Sequence, residues 1–457
     1  MADYDVLVIG GGPGGYAAAL KAAELGATVG LVEAEKPGGA CVNFACIPTN
    51  ILLGSATDYL EAKELDVMGV FSVGEQFNFS RAAARKDALV KRLADGIGSM
   101  LRMRKVTLIE GHARFVSQSA IEVNAVGGET SRLAAEAFVI ATGSRWVPPE
   151  IPGCPAERVL TPDQVQSLTS PPASALILAD GPGDVPFGAE YAVLLAAAGS
   201  EVTLATSRGS LLQGLDADLH PFVESGLESL GVRLLKGASV QSVSGEIVTL
   251  EDAAGSVEVP AEVVVAADPR QPFVDGVGLD AAGVTAGGHI PVDRACRTNV
   301  EHIFAVGDVT GGAMLTNVAN HMGEVAGANA TGGEAMVRLG AVPRLVHTLP
   351  EAGWVGLGEA TAREQGYDVA VGAADLSFNA KAIAMGAREG AVKVVAEREL
   401  GEVLGVHVAG PGAAEVLAVA SAAIQAEIPV HDLAATVQWH PGIAESLAEA
   451  ARRAVPG

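Results

Sequence analysis

Cysteine, aromatic residues and positive charge are all scarce in this sequence. Its 457 residues include four cysteines and 4% aromatic residues, and 54 acidic residues outnumber 30 basic ones, for a formal net charge of −24. A surface of that sign repels nucleic acid, and no basic patch with interleaved aromatic residues is present. No uninterrupted apolar run reaches the roughly 18–20 residues of a membrane helix, and the start lacks the basic and apolar regions of a signal peptide. These absences predict a cytoplasmic protein without a nucleic-acid or membrane partner.

The few cysteines are unevenly distributed. Cys41 and Cys46 both lie in GGACVNFACIPTNILL (38–53), whereas Cys154 and Cys296 are isolated. A four-ligand zinc site would lack its second pair, so no metal site is predicted, and cytosolic thiols are normally kept reduced, which argues against a structural disulfide. Two small buried side chains or a redox-active dithiol remain as interpretations. A helix predicted to start just after Cys46 would stabilise a thiolate there through its dipole.

A glycine-rich turn follows the first apolar stretch of the chain. Residues 5–9 are predicted to form a strand, Ala17–Leu25 has the apolar spacing of a helix, and TVGLVE is predicted to be a strand ending in Glu33. In a dinucleotide-binding unit of this order, glycines let the backbone approach a pyrophosphate at the helix N-terminus, and the acidic residue accepts hydrogen bonds from a ribose. The turn residues predicted to bind the cofactor are Gly10, Gly12, Pro13, Gly14 and Gly15.

A second unit of the same type begins near residue 174. Its glycine turn is altered, since four residues separate Gly183 from Gly188, and its second strand, EVTLAT, ends without a carboxylate for a ribose. Arg208 could contact a 2′-phosphate. A nucleotide-binding domain and a domain of the same shape that binds no nucleotide therefore both remain open.

A histidine and a glutamate stand together near the end of the chain, in His440-Pro441-x-x-x-Glu445. Thiol chemistry needs a base that titrates near neutrality, and a carboxylate can fix the tautomer of an imidazole and support its cation. A proline favours the first turn of a helix, so His440 is expected at a helix start and Glu445 just inside the helix.

These motifs together resemble the pyridine nucleotide–disulfide oxidoreductase family of flavoproteins, and within it the dihydrolipoamide dehydrogenases. The resemblance extends over essentially the whole chain, and it rests on VIGGGPGGYAAA, GGACVNFACIPT, IATGS, FAVGDV, LPEAGWVGLGEA and HPGIAE. It implies an α/β fold with two Rossmann-like dinucleotide-binding domains, of FAD and NAD(P) type, and a C-terminal α+β dimerisation domain. The predicted bounds are 1–148 and 270–340 for the two parts of the FAD domain, 149–269 for the NAD(P)-like domain and 341–457 for the interface domain.

The resemblance also implies roles for individual residues. Cys41 would exchange disulfides with a small-molecule or protein-bound dithiol substrate, and Cys46 would be the thiolate against the flavin. His440, supplied by the partner subunit of a homodimer, would be the base, oriented by Glu445. The residues implied at the FAD site are Gly10, Gly12, Pro13, Gly14, Gly15, Glu33, Gly39, Ala40, Asn50, the backbone of Ala113, Thr142, Gly143, Ser144, Glu190, Asp308, Met314, Leu315 and Thr316.

Departures from the family pattern cluster on the nicotinamide side. Asn50 stands where the family has a lysine that pairs with a glutamate, here Glu190, so a buried Glu190 would be protonated, re-aimed or solvated. On the nicotinamide side, the altered glycine turn and the missing ribose carboxylate are joined by ADPRQPF in place of Gly-Arg-x-Pro-Asn. Near the flavin, MLTN replaces Met-Leu-Ala-His and Ala40 replaces a threonine. The sequence therefore predicts an FAD-dependent dithiol/disulfide oxidoreductase and leaves the use of NAD(P) open. A dithiol oxidase or disulfide-forming enzyme that uses oxygen, a quinone or a protein as acceptor is the alternative, and a non-catalytic flavin-binding homologue is the alternative of another class.

Overall fold

Three large sheets organise the chain, two built mainly or entirely from parallel strands and a third that is antiparallel. The computed structural model describes residues 2–64, 77–125, 127–180, 187–267, 270–387 and 389–455. The strands are β1 (Tyr4–Ile9), β2 (Val29–Glu33), β3 (Thr107–Glu110), β4 (His112–Ser117), β5 (Ala120–Asn124), β6 (Thr130–Ile140), β7 (Ser144–Trp146), β8 (Val159–Leu160), β9 (Ser174–Leu178), β10 (Glu201–Thr206), β11 (Arg233–Lys236), β12 (Ser239–Ser244), β13 (Ile247–Asp252), β14 (Gly255–Pro260), β15 (Val263–Ala266), β16 (Arg270–Pro272), β17 (Ile303–Ala305), β18 (Arg344–Val346), β19 (Ala352–Gly356), β20 (Val369–Asp375), β21 (Ala391–Glu397) and β22 (Val403–Ala409). The α-helices are α1 (Pro13–Glu24), α2 (Gly39–Asn43), α3 (Cys46–Glu64), α4 (Phe79–Met103), α5 (Pro162–Val165), α6 (Phe187–Ala197), α7 (His220–Ser229), α8 (Leu279–Ala282), α9 (Thr316–Ala330), α10 (Glu359–Glu364), α11 (Ala380–Ala384), α12 (Ala413–Gln425), α13 (Val430–Ala435) and α14 (Glu445–Ala454).

The first sheet has the order β3-β2-β1-β6-β5-β4, and β17 also pairs with β6. β1 runs parallel to β2 and β6, β2 parallel to β3, and β17 parallel to β6. Val6–Ile9 of β1 are buried, as expected for a strand covered on both faces. The predicted strand, turn, helix and strand are therefore present as β1, α1 and β2. Because parallel strands end at the same edge, residues that follow β1, β2, β6 and β17 come together there.

The second sheet has the order β11-β10-β9-β15-β8, and every pair in it is parallel. β9, α6 and β10 reproduce the strand–helix–strand order predicted for the second unit. This confirms the α/β class with two dinucleotide-type sheets. Gly181 and Gly183, on which the prediction of an altered turn rested, lie outside the described residues, and Gly188 lies in the first turn of α6.

The C-terminal part forms an antiparallel sheet of order β18-β19-β22-β21-β20. Helices α12 and α14 pack on it through buried residues such as Leu417, Leu447 and Ala450, which share a core with Val394 and Val406. The predicted α+β character of this region is confirmed.

A cluster of charges around the buried Lys393 and Asp216 joins the second unit to the C-terminal sheet, and we call it the Lys393 cluster. Lys393 Nζ lies 2.9 Å from Asp216 Oδ2, 3.0 Å from Asp218 Oδ2 and 2.9 Å from Glu359 Oε2. The N–H of Asp216 donates to Nδ1 of the fully buried His407 at 3.1 Å. Burial lowers the pKa of His407, so this imidazole stays neutral inside the junction.

One helical stretch among the described residues, 39–63, is long and apolar enough to cross a membrane by length and composition. The expectation that no segment could span a bilayer therefore has to be qualified for these residues. Leu52, Leu53 and Ala56 of this stretch are buried in the same core as Tyr191 and Leu194 of α6. This packing is that of a core helix within a globular protein.

Candidate active site

The two neighbouring cysteines lie on consecutive helices. Cys41 is in the short helix α2, and Cys46 is the first residue of α3, one residue earlier than the helix start expected from the sequence. Both are free thiols and partly buried. A Cβ added to Gly39 would lie 2.6 Å from the Cα of Gly12, so the cysteine segment packs directly on the first glycine turn. The absence of a side chain at residue 39 allows this approach.

The surroundings of the two thiols make them unequal. The hydrogen bond from Cys41 is the largest influence that lowers the pKa of Cys46, and Thr316 and the charge of Arg270 act in the same direction, against burial and the charge of Glu190. The same bond, with burial, raises the pKa of Cys41. The start of α3 adds a positive dipole end beside Cys46. The pair is therefore arranged to carry a thiolate on Cys46 and a proton on Cys41.

Thr316, the first residue of α9, lies next to the two cysteines. Its Oγ1 lies 3.5 Å from Cys46 Sγ, and it also interacts with Cys41. Arg270 belongs to the same neighbourhood, since its Nη1 donates to Asp308 Oδ2 at 2.8 Å and its Nη2 to the carbonyl of Met314 at 2.6 Å. These contacts connect the dithiol to the segment that leads into α9.

The glycine turn after β1 has the close contacts expected of a dinucleotide-binding turn. A Cβ on Gly15 would lie 1.9 Å from the carbonyl oxygen of Gly10, so only glycine fits there. The N–H of Gly11 donates to Glu33 Oε2 at 2.6 Å, which holds this carboxylate at the turn, while burial raises the pKa of Glu33. Among the described residues, the one atom within 4 Å of a Cβ added to Gly12 would be the Cα of Gly39, at 3.8 Å. This open space fits the approach of a phosphate to the backbone.

The other predicted FAD residues gather at the same edge of the first sheet. Ser144, after β6, donates from its hydroxyl to Asp308 Oδ2 at 2.6 Å, and Thr142 donates to the carbonyl of Phe273 at 2.7 Å. Among the described residues, no atom lies within 4 Å of a Cβ added to Gly143. The remaining members are Pro13 and Gly14 in α1, Ala40 in α2, Ala113 in β4, and Met314 and Leu315 before α9. A carboxylate can accept more hydrogen bonds than the two that Asp308 receives from Ser144 and Arg270, so Asp308 fits a hydroxyl group of FAD as a further donor.

Asn50 and Glu190 do not contact each other, unlike the lysine and glutamate that pair at these positions in the family pattern. Asn50 is exposed, and its Nδ2 donates to the carbonyl of Cys46 at 3.2 Å. Glu190 is 4% exposed, which rules out the solvated alternative. Its Oε1 accepts the N–H of His347 at 3.1 Å, and the imidazole of His347 pairs through Nδ1 with Glu351 Oε1 at 3.2 Å. Burial raises the pKa of Glu190, and the charge of His347 opposes that rise.

A buried polar network holds the cysteine segment against α6. The hydroxyl of Tyr191 lies 3.2 Å from Thr49 Oγ1 and 2.9 Å from Gln166 Nε2. Gln166 Nε2 also donates to the carbonyl of Ala45 at 3.2 Å, between the two cysteines in sequence. The Tyr191 network therefore fixes the backbone that precedes Cys46.

The His440–Glu445 pair is formed, but its local structure differs from the prediction. His440 Nδ1 lies 3.1 Å from both carboxylate oxygens of Glu445. Glu445 is the first residue of α14, whereas His440 and Pro441 precede the helix in a bend, so the expected helix start at His440 is wrong. The residue before a proline avoids helical geometry, and Glu445 Oε2 accepts the N–H of Gly442 at 2.9 Å within that bend. His440 is exposed, and no described contact joins it to the cysteines of its own chain.

Three residues at the site were not predicted from the sequence. Arg270 and His347 are described above, and Tyr16 lies in α1, where burial and the charge of Cys41 raise its pKa. Arg270 was visible only as part of an altered motif, and the histidine directly before the family-like TLPEAGWVG was the one available signal for His347. Nothing in a linear sequence places these side chains at the dithiol.

Comparison with known proteins agrees with this geometry. Residues 4–323 match the family model described as pyridine nucleotide-disulphide oxidoreductase, and residues 342–451 match the model of that family's dimerisation domain. Dihydrolipoyl dehydrogenases of Bacillus subtilis and Thermus scotoductus are 34% and 36% identical, over 98% and 99% of this chain and 97% of each relative. Among solved structures, LpdA from Mycobacterium tuberculosis gives a TM-score of 0.88 at 30% identity, covering 98% of this chain and 99% of its own. The flavoprotein disulfide reductase RclA from Escherichia coli, solved as a Cu(II) complex, gives 0.86 at 25% identity, covering 99% of each chain.

The chain belongs to the pyridine nucleotide-disulphide oxidoreductase family. Within it, the protein is an FAD-dependent oxidoreductase of the lipoamide dehydrogenase type that acts on sulfur groups, which confirms the resemblance found in the sequence. Its dimerisation domain supports a homodimer.

Proposed function

We propose that the protein oxidises a dithiol substrate and passes two electrons through Cys41 and Cys46 to FAD. The observation that carries this proposal is the position of Cys46, which lies at the start of α3, next to Cys41 and 3.5 Å from the hydroxyl of Thr316, a setting that favours a thiolate on Cys46 and a proton on Cys41. In the oxidised enzyme these residues form a disulfide. A low pKa makes Cys46 the better leaving group, so an incoming thiolate attacks the sulfur of Cys41.

The electrons and protons balance over two displacements. The first substrate thiolate attacks Cys41 Sγ, the Cys41–Cys46 bond breaks, and Cys46 leaves as a thiolate. The second substrate thiol loses its proton and attacks the substrate sulfur that is joined to Cys41. The bond between that sulfur and Cys41 breaks, the leaving Cys41 sulfur takes up the proton, and the substrate is released as a cyclic or linked disulfide. The substrate has lost two electrons and the enzyme pair has gained them. FAD, when bound, supplies the acceptor for those two electrons.

The proposed base is His440 of the partner subunit. Its Nδ1 faces the Glu445 carboxylate in this chain, so Nδ1 carries a proton and Nε2 is left to accept one from a substrate thiol. The exposure of His440 suits a residue that reaches the dithiol of a second copy. Dimer formation through the C-terminal region would then complete the site.

FAD is proposed to be held along the edge of the first sheet. The glycine turn and Glu33 would bind its pyrophosphate and ribose, and Ser144, Asp308 and the start of α9 would bind the rest. The proposal includes the domain bounds 1–148, 149–269, 270–340 and 341–457, and a cytoplasmic location.

The departures on the nicotinamide side, with Asn50 in place of a lysine, favour a final electron acceptor other than NAD(P). Asp180 follows β9, and its Oδ1 accepts the N–H of Ser207 at 2.5 Å and the hydroxyl of Thr206 at 3.1 Å, at the end of β10. A carboxylate at this position would repel the 2′-phosphate of NADP, whereas it could accept hydrogen bonds from a ribose, as proposed for Glu33 in the first unit. Oxygen, a quinone or a protein would then reoxidise the flavin, with NAD(P) as the competing candidate.

Anaerobic flavin spectra test both halves of the proposal. Purified FAD-loaded protein is mixed separately with dihydrolipoamide, NADH and NADPH. We expect rapid reduction by the dithiol. Reduction by a nicotinamide would assign NAD(P) as the partner, no reduction by either would favour the other acceptors, and no response to the dithiol would contradict the proposed function and favour a non-catalytic flavoprotein.

The role of Cys41 has a matched control in Cys154, a partly buried cysteine outside the site. Cys41→Ser should abolish reduction of the flavin by the dithiol while FAD stays bound, because the exchange thiol is lost. Cys154→Ser should leave the rate unchanged. Equal rates for Cys41→Ser and the unmodified protein would refute the assigned role.

A further inference from the structure

A small array of charged groups lies beside Cys46 and takes no part in the exchange chemistry above. Glu190 comes from α6, and His347 and Glu351 come from the connection between β18 and β19. Glu190 Oε1 is bonded to the backbone of His347, and the His347 ring is bonded to Glu351 Oε1. The charge of Glu190 acts on Cys46 directly.

Glu190 needs a positive partner if it is to be ionised. It is almost fully buried, and removing a carboxylate from water without a cation costs several kcal/mol or forces it to take up a proton. Asn50 is neutral and bonded to the Cys46 carbonyl. Among the described residues, the one positively charged group that acts on Glu190 is His347, whose backbone N–H bonds to Glu190 and whose ring bonds to Glu351.

We infer that His347 supplies the positive charge that balances Glu190 beside the dithiol, with Glu351 holding the imidazole in place. His347 is thus a positioning residue that acts on Cys46 through Glu190. The inference rests on the proposed role of Cys46 as the thiolate next to the flavin. It also explains how the chain tolerates Asn50 where a lysine would otherwise supply the charge.

A histidine in this role makes the local charge depend on pH, whereas a lysine would not. The bond to Glu351 raises the pKa of His347 against burial, and the charge of Glu190 adds to the rise. Below that pKa the Glu190 carboxylate is balanced. Above it, Glu190 loses its cation, so its ionised form is disfavoured, and any negative charge that it keeps opposes a thiolate on Cys46. Cys46 also faces Cys41, Thr316 and Arg270, and these stay unchanged in the experiments below.

The first test removes the charge of Glu190 with an isosteric change. In the FAD-loaded homodimer, Glu190→Gln should lower the pKa of His347, and diethyl pyrocarbonate, which modifies neutral imidazole, should then modify His347 several-fold faster at neutral pH, up to about tenfold for a shift of one unit. Mass spectrometry locates the modified residue. Asp432→Asn is the control, since Asp432 lies beside the exposed His431. An unchanged rate at His347 in Glu190→Gln would overturn the inference.

The second test reads the protonation of Glu190 directly. In His347→Gln the carboxylate loses its cation, so infrared spectra at neutral pH should show a protonated carboxyl band that is absent from the unmodified enzyme and from the double variant with Glu190→Gln. A band already present in the unmodified enzyme, or none in His347→Gln, would refute the inference. Neither test involves electron transfer, so failure of the dithiol oxidation proposed above would leave both readouts intact.

Discussion

The contact between Thr316 and Cys46 gives a quantitative prediction. The Oγ1–Sγ distance is 3.5 Å, an ordinary length for a hydrogen bond to the larger sulfur atom. Because sulfur is a weak acceptor, the contribution of this bond should fall at the lower end of the range for bonds to charged groups, about 1.5 kcal/mol. Because about 1.4 kcal/mol corresponds to one pKa unit, Thr316→Ala should raise the pKa of Cys46 by about one unit. Thr316→Ser keeps the hydroxyl and should shift it little.

The assay is the pH dependence of iodoacetamide alkylation of the reduced enzyme. Cys41 and Cys46 are separated by four residues, so tandem mass spectrometry is used to locate the label on Cys46. Well below the pKa, the thiolate fraction and hence the rate should fall about tenfold in Thr316→Ala. A titration curve that coincides with that of the unmodified enzyme, or an equal shift in Thr316→Ser, would show that the hydroxyl does not stabilise the thiolate.

Three further predictions concern stability. Tyr191→Phe removes a buried hydroxyl and leaves Gln166 with one hydrogen-bond partner fewer. The thermal midpoint of the holoenzyme should therefore fall, by an amount equivalent to about 1–3 kcal/mol of unfolding free energy. An unchanged midpoint would mean that the Tyr191 network contributes nothing to stability. Lys393→Met should cost about 3–5 kcal/mol because it leaves the buried carboxylate of Asp216 without its cation. Lys236→Met, at a partly exposed pair, should cost at most about 1 kcal/mol, and equal losses would contradict this difference. The pKa of His407 is lower in the folded state than its unfolded value of 6.5, so the unfolded chain binds more protons, and stability falls as the pH drops through 6.5 towards the folded pKa. His407→Gln should therefore flatten that part of the profile of stability against pH. An unaltered slope would show that another group causes the acid sensitivity.

Short-range sequence patterns predicted those parts of the fold that short-range interactions determine. The apolar runs and glycine turn of the first unit become β1, α1 and β2, because a buried parallel strand and a tight turn each leave a short-range signature. The start of α14 was misplaced, because the signal of Pro441 for a helix start competes with the preference of the preceding residue for extended geometry, and the glutamate bonds within the bend.

For the candidate site, the sequence predicted several of the residues but not the contacts between them. Resemblance identified Cys41, Cys46 and Thr316, yet the contact that makes Thr316 important joins residues 270 positions apart. The partner of Glu190 could not be predicted, since a missing lysine at residue 50 says only that a cation is needed, and His347 comes from another domain, 157 residues away. Which side chain fills such a need depends on how sheets and helices pack.

The Tyr191 network has a consequence for the rate of electron transfer. The carbonyl of Ala45, four residues after one thiol and one before the other, is tied by Gln166 to a tyrosine in the core of the second unit. In the proposed cycle, in which the Cys41–Cys46 disulfide opens and closes, the sulfur atoms can shift by side-chain rotation while the backbone between them stays anchored. A site that is already arranged for both redox states has a low reorganisation energy in each cycle. The rigidity of the cysteine turn therefore comes from a neighbouring domain.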